Sequence, residues 1–127
     1  MNIGFVYCFT NHYMPGICKI GRTDRSPSQR CKELSDSTSA PWPFDIRFYV
    51  EVDDSIRLER SIHAAFDEYR FNESREFFSC TPATAYDWLR KNADILTDFV
   101  DGDVLLELRQ LDQAAHARAL LTFEVPA

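Results

Sequence analysis

Residues 3–23 read IGFVYCFTNHYMPGICKIGRT, two β-prone runs joined by a turn-forming segment. From Ile3 to Thr10, apolar residues occupy both sides of an extended chain, a pattern typical of a central strand. The pair Pro15-Gly16 favours a hairpin loop, and Ile17 to Gly21 has the composition of a short returning strand. The sequence therefore predicts a hairpin within a sheet.

A helix, a strand and a second helix are predicted after this hairpin. Ser26-Pro27 can cap and open a helix that runs to about Asp36, with Gln29 completing a capping box. From Phe44 to Asp53, apolar residues alternate strictly with mostly polar ones, which predicts a strand with one buried side. The apolar spacing that follows predicts a helix from about Asp54 to Tyr69.

This order of elements predicts an α/β fold of the α+β kind. We expect a small, mostly antiparallel three-stranded sheet flanked by helices, in the order β-β-α-β-α, followed by a C-terminal helical tail. Residues 1–80 are predicted to form one domain, and residues 81–127 a helical extension. Its first helix opens at Thr81-Pro82 and carries Leu96, and its second carries Leu111 on its apolar side.

Composition excludes several classes of protein. Apolar residues make up 45% of the 127 residues and charged ones 27%, which is typical of a folded globular domain. No apolar run is long enough to span a bilayer and no secretory pattern opens the sequence, so we expect a soluble, cytoplasmic protein. The four cysteines form no Cys-x-x-Cys pair, which disfavours structural zinc and favours buried free thiols.

The charge is unevenly distributed along the chain. With 14 basic and 20 acidic residues the net charge is −6, which disfavours a broad nucleic-acid surface. From Ile17 to Lys32, however, five basic residues face only Asp24, a local balance of +4. From Asp98 to Ala127, six acidic residues face two arginines, a balance of −4. The basic part can therefore meet a polyanion while the acidic part cannot.

Seven polar residues are brought together by the predicted layout. Each has an ordinary alternative: a tyrosine in an aromatic strand is usually a core residue, and a Glu–His pair four residues apart is usually a helix-surface pair. Their combination is what suggests a site. They are Tyr7, Lys19, Arg22, Arg30, Glu59, His63 and Glu76.

These residues occur in motifs that resemble a known family. Phe5-Val6-Tyr7, then Lys19-Ile20-Gly21-Arg22-Thr23, then Arg30 in a helix and Leu58-Glu59 in a later helix resemble the GIY-YIG nuclease superfamily. The KIGRT string, His63 four residues after Glu59, and Arg75-Glu76-Phe77-Phe78 are similar to its phage-encoded DNA-binding branch, also seen in meiotically up-regulated fungal proteins. The resemblance covers about Ile3 to Phe78.

The resemblance implies a DNA endonuclease or nickase that hydrolyses a phosphodiester by in-line attack of water with one divalent metal ion, Mg²⁺ or Mn²⁺. By position, Tyr7 corresponds to the tyrosine of the first signature, Arg30 to the arginine of the first helix, and Glu59 to the metal-binding glutamate. These roles suit the side chains, since Mg²⁺ needs few carboxylates and an arginine can stabilise charge on phosphoryl oxygens. We expect Arg22, Arg25 and Lys32 to bind the DNA backbone.

One departure from the family pattern leaves the general base open. Lys19 stands where the wider superfamily has its second tyrosine, so Lys19, His63 or Tyr7 could accept the proton of the attacking water. Tyr7 could do so only if its pKa fell well below about 10, which Lys19 and Arg22 would favour. Glu76 is expected either to contact the metal or to form a salt bridge to Arg30 or Arg22.

A second function remains open. The chain could be a DNA-binding module of the same fold whose cleavage activity is weak or lost. In either case the acidic C-terminal helices could form a homodimer, contact another partner, or shield the basic site until DNA arrives.

Overall fold

Five strands form one antiparallel sheet in the computed structural model, which describes residues 2–36 and 43–124. The strands are β1 Ile3–Asn11, β2 Cys18–Thr23, β3 Phe44–Asp53, β4 Phe77–Phe78 and β5 Thr97–Val100, in the order β4-β2-β1-β3-β5. The helices are α1 Pro27–Ser35, α2 Ser55–Ala65, α3 Pro82–Asn92 and α4 Gly102–Glu124, with a single 3₁₀ turn at Asp67–Tyr69.

The predicted central hairpin is confirmed, but the predicted number of strands is wrong. β1 lies in the middle of the sheet, with Tyr7 opposite Gly21 and Phe9 opposite Lys19 on β2. The two additional strands are the outer ones. β4 has only two residues, and β5 is mostly exposed, so neither carries an alternating pattern that the sequence could reveal. The sheet therefore has five strands rather than three.

Both faces of the sheet are covered. On one face, Val6 and Cys8 pack with residues of α2 and α3, including Ile62 and Leu89, which are fully buried. On the other face, a smaller cluster contains Tyr7 and Phe9 with Cys31 and Leu34 of α1. The first helix of the predicted tail therefore packs against the same core as α2, while the division of the chain at residue 80 stays a prediction.

A bulge divides β3 between the two faces. Cys8 is opposite Phe48 whereas Phe9 is opposite Ile46, so Arg47 is an extra residue without a counterpart on β1. Phe48 packs into the α2 face, but Ile46 packs against the α1 face. The prediction of one continuous buried side along β3 is therefore wrong, because one extra residue moves the side chains before it to the opposite face.

Several predicted element ends also differ. α2 ends at Ala65, and Tyr69 lies beyond it in the 3₁₀ turn with 42% of its surface exposed. Ser26 precedes α1 but its side chain makes no capping hydrogen bond. α3 ends at Asn92, before an extended Ala93, so Leu96 is not on the helix.

The last helix is mostly exposed. Val104 and Leu108 are buried against Ala83 of α3, but Leu111 is 40% exposed and every described side chain after it on α4 is exposed too. The prediction that Leu111 continues a buried stripe is therefore wrong. Over residues 2–36 and 43–124, no helix combines the length and hydropathy that crossing a bilayer requires.

The cysteines are free, as predicted. Cys8, Cys18 and Cys31 are buried and Cys80 is partly buried. The thiol of Cys18 donates to the backbone oxygen of Cys80 at 3.0 Å. Hydrogen bonding with Cys18, followed by burial, raises the pKa of the Cys80 thiol far above its ordinary value.

Candidate active site

Tyr7 lies on β1 with its hydroxyl over the backbone of β2. The side chain is 1% exposed, and its ring is stacked on Phe9 with 4.0 Å between the ring centroids. Directly opposite, a Cβ added to Gly21 would lie 2.5 Å from the Tyr7 hydroxyl oxygen, closer than real Cβ atoms approach. The glycine of the KIG motif is therefore required here because only hydrogen leaves room for the tyrosine.

The Tyr7 hydroxyl is protonated at neutral pH. Burial raises the pKa of Tyr7 to about 12, and the opposing hydrogen bond with the Arg30 guanidinium does not compensate for it. The condition under which Tyr7 could act as the base, a pKa well below about 10, is therefore not met. The phenol is a hydrogen-bonding partner of Arg30, which it helps to hold beside β2, and is poorly suited to accept a proton from water.

Lys19, on β2, is held by Glu76. Its ammonium group donates to the Glu76 carboxylate and lies 5.0 Å from the centroid of the Phe77 ring. Only 8% of the lysine is exposed. The expected salt bridge of Glu76 therefore exists, but its partner is Lys19 rather than Arg30 or Arg22. A buried cation that is held in this way supplies fixed positive charge.

Glu59 reaches the same region from α2. It lines the same cleft as Lys19 and His63. Burial raises the pKa of Glu59, and the nearby Glu76 carboxylate adds to the increase, whereas His63 and Arg22 oppose it. Two carboxylates that repel each other in a half-buried cleft are an arrangement that a cation would stabilise.

His63 lies one helical turn after Glu59, also beside β2. Its Nε2 is 2.8 Å from the backbone oxygen of Ile20, and its ring packs 5.1 Å from that of Phe78. A carbonyl oxygen can only accept a hydrogen bond, so we assign the proton of the neutral imidazole to Nε2. The lone pair is then on Nδ1, which can accept a proton from a neighbouring group.

These side chains line an open cleft of about 910 Å³ on the outer side of β2. The cleft therefore brings together four of the residues that the sequence indicated, which are Lys19, Glu59, His63 and Glu76. Tyr7 and Arg30 adjoin the cleft from β1 and α1. The electrostatic influence of Glu59 and Glu76 on Tyr7 is consistent with this proximity. The cleft is lined by Lys19, Glu59, His63, Arg70, Glu73, Ser74, Arg75, Glu76 and Phe77.

The far wall of the cleft is a segment that Arg70 holds in place, and the sequence did not indicate this residue. The Arg70 guanidinium donates to the backbone oxygens of Ser74 at 3.0 Å and Arg75 at 2.7 Å. It also pairs with Asp67 at 2.6 Å and lies over the Phe78 ring. Arg70 thereby fixes the chain that leads directly to Glu76. No local pattern signals such a contact, since it depends on the tertiary path of the segment.

The predicted basic surface is largely neutralised. Glu33 follows immediately after the basic stretch, and it pairs with Arg25 at 2.9 Å and with Arg30 at 3.5 Å. Arg22 pairs with Asp24 and donates to the Ser55 hydroxyl at 3.1 Å. The local excess of positive charge is therefore smaller than the balance of +4 counted over residues 17–32, because that count leaves out Glu33.

The acidic residues of the cleft are suited to magnesium rather than to a closed metal site. Over the part of the chain that the structure describes, no three His, Cys, Asp or Glu side chains cluster to hold a metal ion. Mg²⁺ commonly uses one or two carboxylates and keeps several waters, so Glu59, with Glu76 nearby, is sufficient. The residues present therefore fit a hydrated divalent cation.

The family match identifies the class of protein, a nuclease-like or DNA-binding domain of the phage type. Residues 4–93, or 90 of the 127 residues, match the family described as the T5orf172 domain. The chain therefore belongs to this family, which lies in the GIY-YIG and homing-endonuclease-like group. No curated protein and no solved structure matches the chain.

Proposed function

We propose that the protein is a metal-dependent DNA endonuclease or nickase of the GIY-YIG type. The observation that carries this proposal is the convergence of Lys19, Glu59, His63 and Glu76 in one open cleft, with Tyr7 and Arg30 adjoining it. A cation, carboxylates and a neutral imidazole are the groups that phosphodiester hydrolysis requires, and they meet here at an exposed edge of the sheet.

Lys19 and Arg30 bind and neutralise the scissile phosphate. Lys19 is held by Glu76, and Arg30 is held by the Tyr7 hydroxyl and Glu33, so both cations are already oriented before DNA arrives. Preoriented positive charge stabilises the charge that grows on the phosphoryl oxygens as water attacks. The arginine offers a planar fork of donors that matches two phosphate oxygens.

His63 accepts the proton of the attacking water. Its Nε2 is occupied by the Ile20 carbonyl, which leaves Nδ1 as the acceptor. Water forms the new bond to phosphorus while its proton passes to Nδ1, and the bond to the leaving sugar oxygen breaks with its electron pair going to that oxygen, which takes a proton from solvent. Tyr7 is excluded from this role because its pKa is raised to about 12, and Lys19 because its ammonium donates to Glu76.

Glu59 holds the divalent cation, with Glu76 beside it. When bound, Mg²⁺ or Mn²⁺ supplies further positive charge to the phosphate and the leaving oxygen. Glu59 is half-buried in the wall of the cleft, so its carboxylate is partly desolvated before a cation binds. The position of Glu59 at the edge of the buried stripe of α2 leaves it in contact with the open cleft.

The alternative is a DNA-binding module with weak or no cleavage activity. The observation in its favour is the ion pair of Lys19 with Glu76, which occupies the site of the second signature tyrosine and engages the carboxylate next to Glu59. Under this alternative, the predicted DNA-binding residues Arg22, Arg25 and Lys32 would still bind the backbone.

The test is cleavage of supercoiled plasmid with Mg²⁺ or Mn²⁺ by the wild type, Glu59→Gln and Glu107→Gln. Glu107→Gln removes the same charge from the exposed side of α4 and serves as the matched control. We expect nicking by the wild type and the control but not by Glu59→Gln, while all three bind DNA in EDTA. DNA binding without cleavage by the wild type would refute the nuclease and support the binding module.

A further inference from the structure

The basic residues fall into two groups according to whether an acidic side chain already pairs with them. Eight form ion pairs within the described residues, including Arg22, Arg25 and Arg30 near the site. The other six are exposed and have no acidic partner among the residues that the structure describes. They are Lys32, Arg57, Arg60, Arg75, Arg109 and Arg118.

Two of these unpaired arginines lie next to cleft residues. Arg75 lines the cleft together with Glu59 and His63. Arg60 follows Glu59 on α2 and is exposed on the side of the helix away from the buried Leu58 and Ile62. Arg57 lies three residues before Arg60 and is exposed on the same side of α2, one turn farther from His63.

An exposed cation without an acidic partner can bind phosphate without first losing an ion pair. Arg25 must give up Glu33 before it can neutralise a phosphate, and the departing carboxylate then repels the backbone. Arg60 and Arg75 have no such competitor in the described part of the chain. Arg60 is on α2, which packs on the face of the sheet opposite to α1, and Arg75 is on the segment before Glu76 that lines the cleft.

We propose that Arg60 and Arg75 bind two phosphates of duplex DNA beside the Glu59–His63 cleft, on the side away from Arg30. The proposal rests on DNA entering this cleft, as the proposed function requires. It extends the DNA contact from the predicted α1 surface to α2 and to the segment that Arg70 fixes. The backbone then crosses the cleft with cations on both sides of the carboxylates.

The test is the salt dependence of DNA binding in EDTA, which prevents cleavage. Fluorescence anisotropy with a labelled duplex gives the Kd between 50 and 200 mM KCl, and each phosphate contact contributes about 0.9 to the slope of log Kd against log salt. Arg60→Ala and Arg75→Ala should each reduce the slope by about 0.9, and the double variant by about 1.8. All three should unfold like the wild type because both arginines are exposed.

Two variants with the same change of charge serve as controls. Arg109→Ala and Arg118→Ala each remove a cation from an exposed position of α4, which follows the opposite edge strand of the sheet. Both should keep the wild-type slope. Equal reductions in all four single variants would show a general effect of charge and overturn the proposal, as would unchanged slopes for Arg60→Ala and Arg75→Ala.

The outcomes also separate this proposal from the proposed function. If the wild type cleaves plasmid but neither Arg60→Ala nor Arg75→Ala changes the slope, the nuclease stands and this surface does not bind the backbone. If the slopes change as expected but no plasmid is cut, the surface stands and the nuclease does not. Absence of duplex binding by the wild type at 50 mM KCl would overturn both.

Discussion

Replacing Gly21 by alanine should displace Tyr7, the most constrained side chain of the site. The added Cβ would lie 2.5 Å from the hydroxyl oxygen, 2.7 Å from Cζ and 3.0 Å from Cε1 of Tyr7. The ring cannot swing towards solvent because it is 1% exposed and stacked on Phe9. Restoring ordinary contact distances of about 3.5 Å moves the hydroxyl by about 1 Å, which breaks its hydrogen bond with Arg30.

The expected cost follows from this crowding. Inserting one methyl group into a packed region typically costs about 1–3 kcal/mol, so we expect the free energy of unfolding to fall by about 2 kcal/mol. For a domain of this size that corresponds to a decrease in Tm of roughly 6–10 °C. Misplacing Arg30 by about 1 Å should also reduce plasmid nicking by about 100-fold.

Thermal melts and plasmid nicking with Gly102→Ala as a matched control measure both effects. Nothing lies within 4 Å of a Cβ added at Gly102, the first residue of α4, so this variant should be as stable as the wild type or more stable by up to about 1 kcal/mol. Tyr7→Phe in the Gly21→Ala background removes the closest contact and should recover part of the Tm. The reasoning is refuted if Gly21→Ala melts and cleaves like Gly102→Ala.

Three further results are expected. Burial raises the pKa of Glu59, so between its ordinary and its raised pKa the folded protein keeps a proton that the unfolded chain has lost, and stability falls as pH rises through this range. In EDTA at pH 7, Glu59→Gln should therefore have a higher Tm than the wild type. An equal or lower Tm would contradict this. Tyr7→Phe should lower the rate of nicking because Arg30 loses its hydrogen-bonding partner, whereas His63→Gln should abolish nicking because the proton acceptor is gone; nicking by His63→Gln at the wild-type rate would reassign the base. Removing residues 113–127 should change the free energy of unfolding by less than about 0.5 kcal/mol because the described side chains from 113 to 122 are all exposed. Sedimentation of this shortened chain then tests the predicted dimer, and its DNA binding tests the predicted shielding of the basic site.

The sequence predicted the centre of the sheet well and its edges poorly. Apolar residues on both sides of β1 indicate a central strand because only a strand covered on both faces needs them. β5 gives no such indication, since Thr97, Asp98 and Phe99 are exposed and Leu96 fits a helical spacing equally well. The bulge at Arg47 also could not be predicted from the sequence, because a bulge arises from pairing with another strand and leaves the alternation of apolar and polar residues unchanged.

The site could be predicted where its signal is local. The spacing of Glu59 and His63 places both on one side of α2, and the structure brings both to the cleft. The burial and the charged neighbours of each group could not be predicted from local spacing. The cations near Tyr7 in the sequence would favour a lower pKa of its hydroxyl, but desolvation depends on how the whole sheet packs and raises this pKa. Ion pairs such as Arg25 with Glu33 likewise depend on side-chain reach rather than on a count of charges.

The buried thiols allow the opening of individual elements to be measured with a chemical reagent. Cys8, Cys18 and Cys31 are distributed over β1, β2 and α1, and none of them is accessible in the native state. A thiol-specific reagent can therefore modify them only when the surrounding element opens, and the modification rate of each reports the opening of its own element. Mass spectrometry of the labelled peptides would then resolve whether the central hairpin and α1 open together or separately, without any engineered probe.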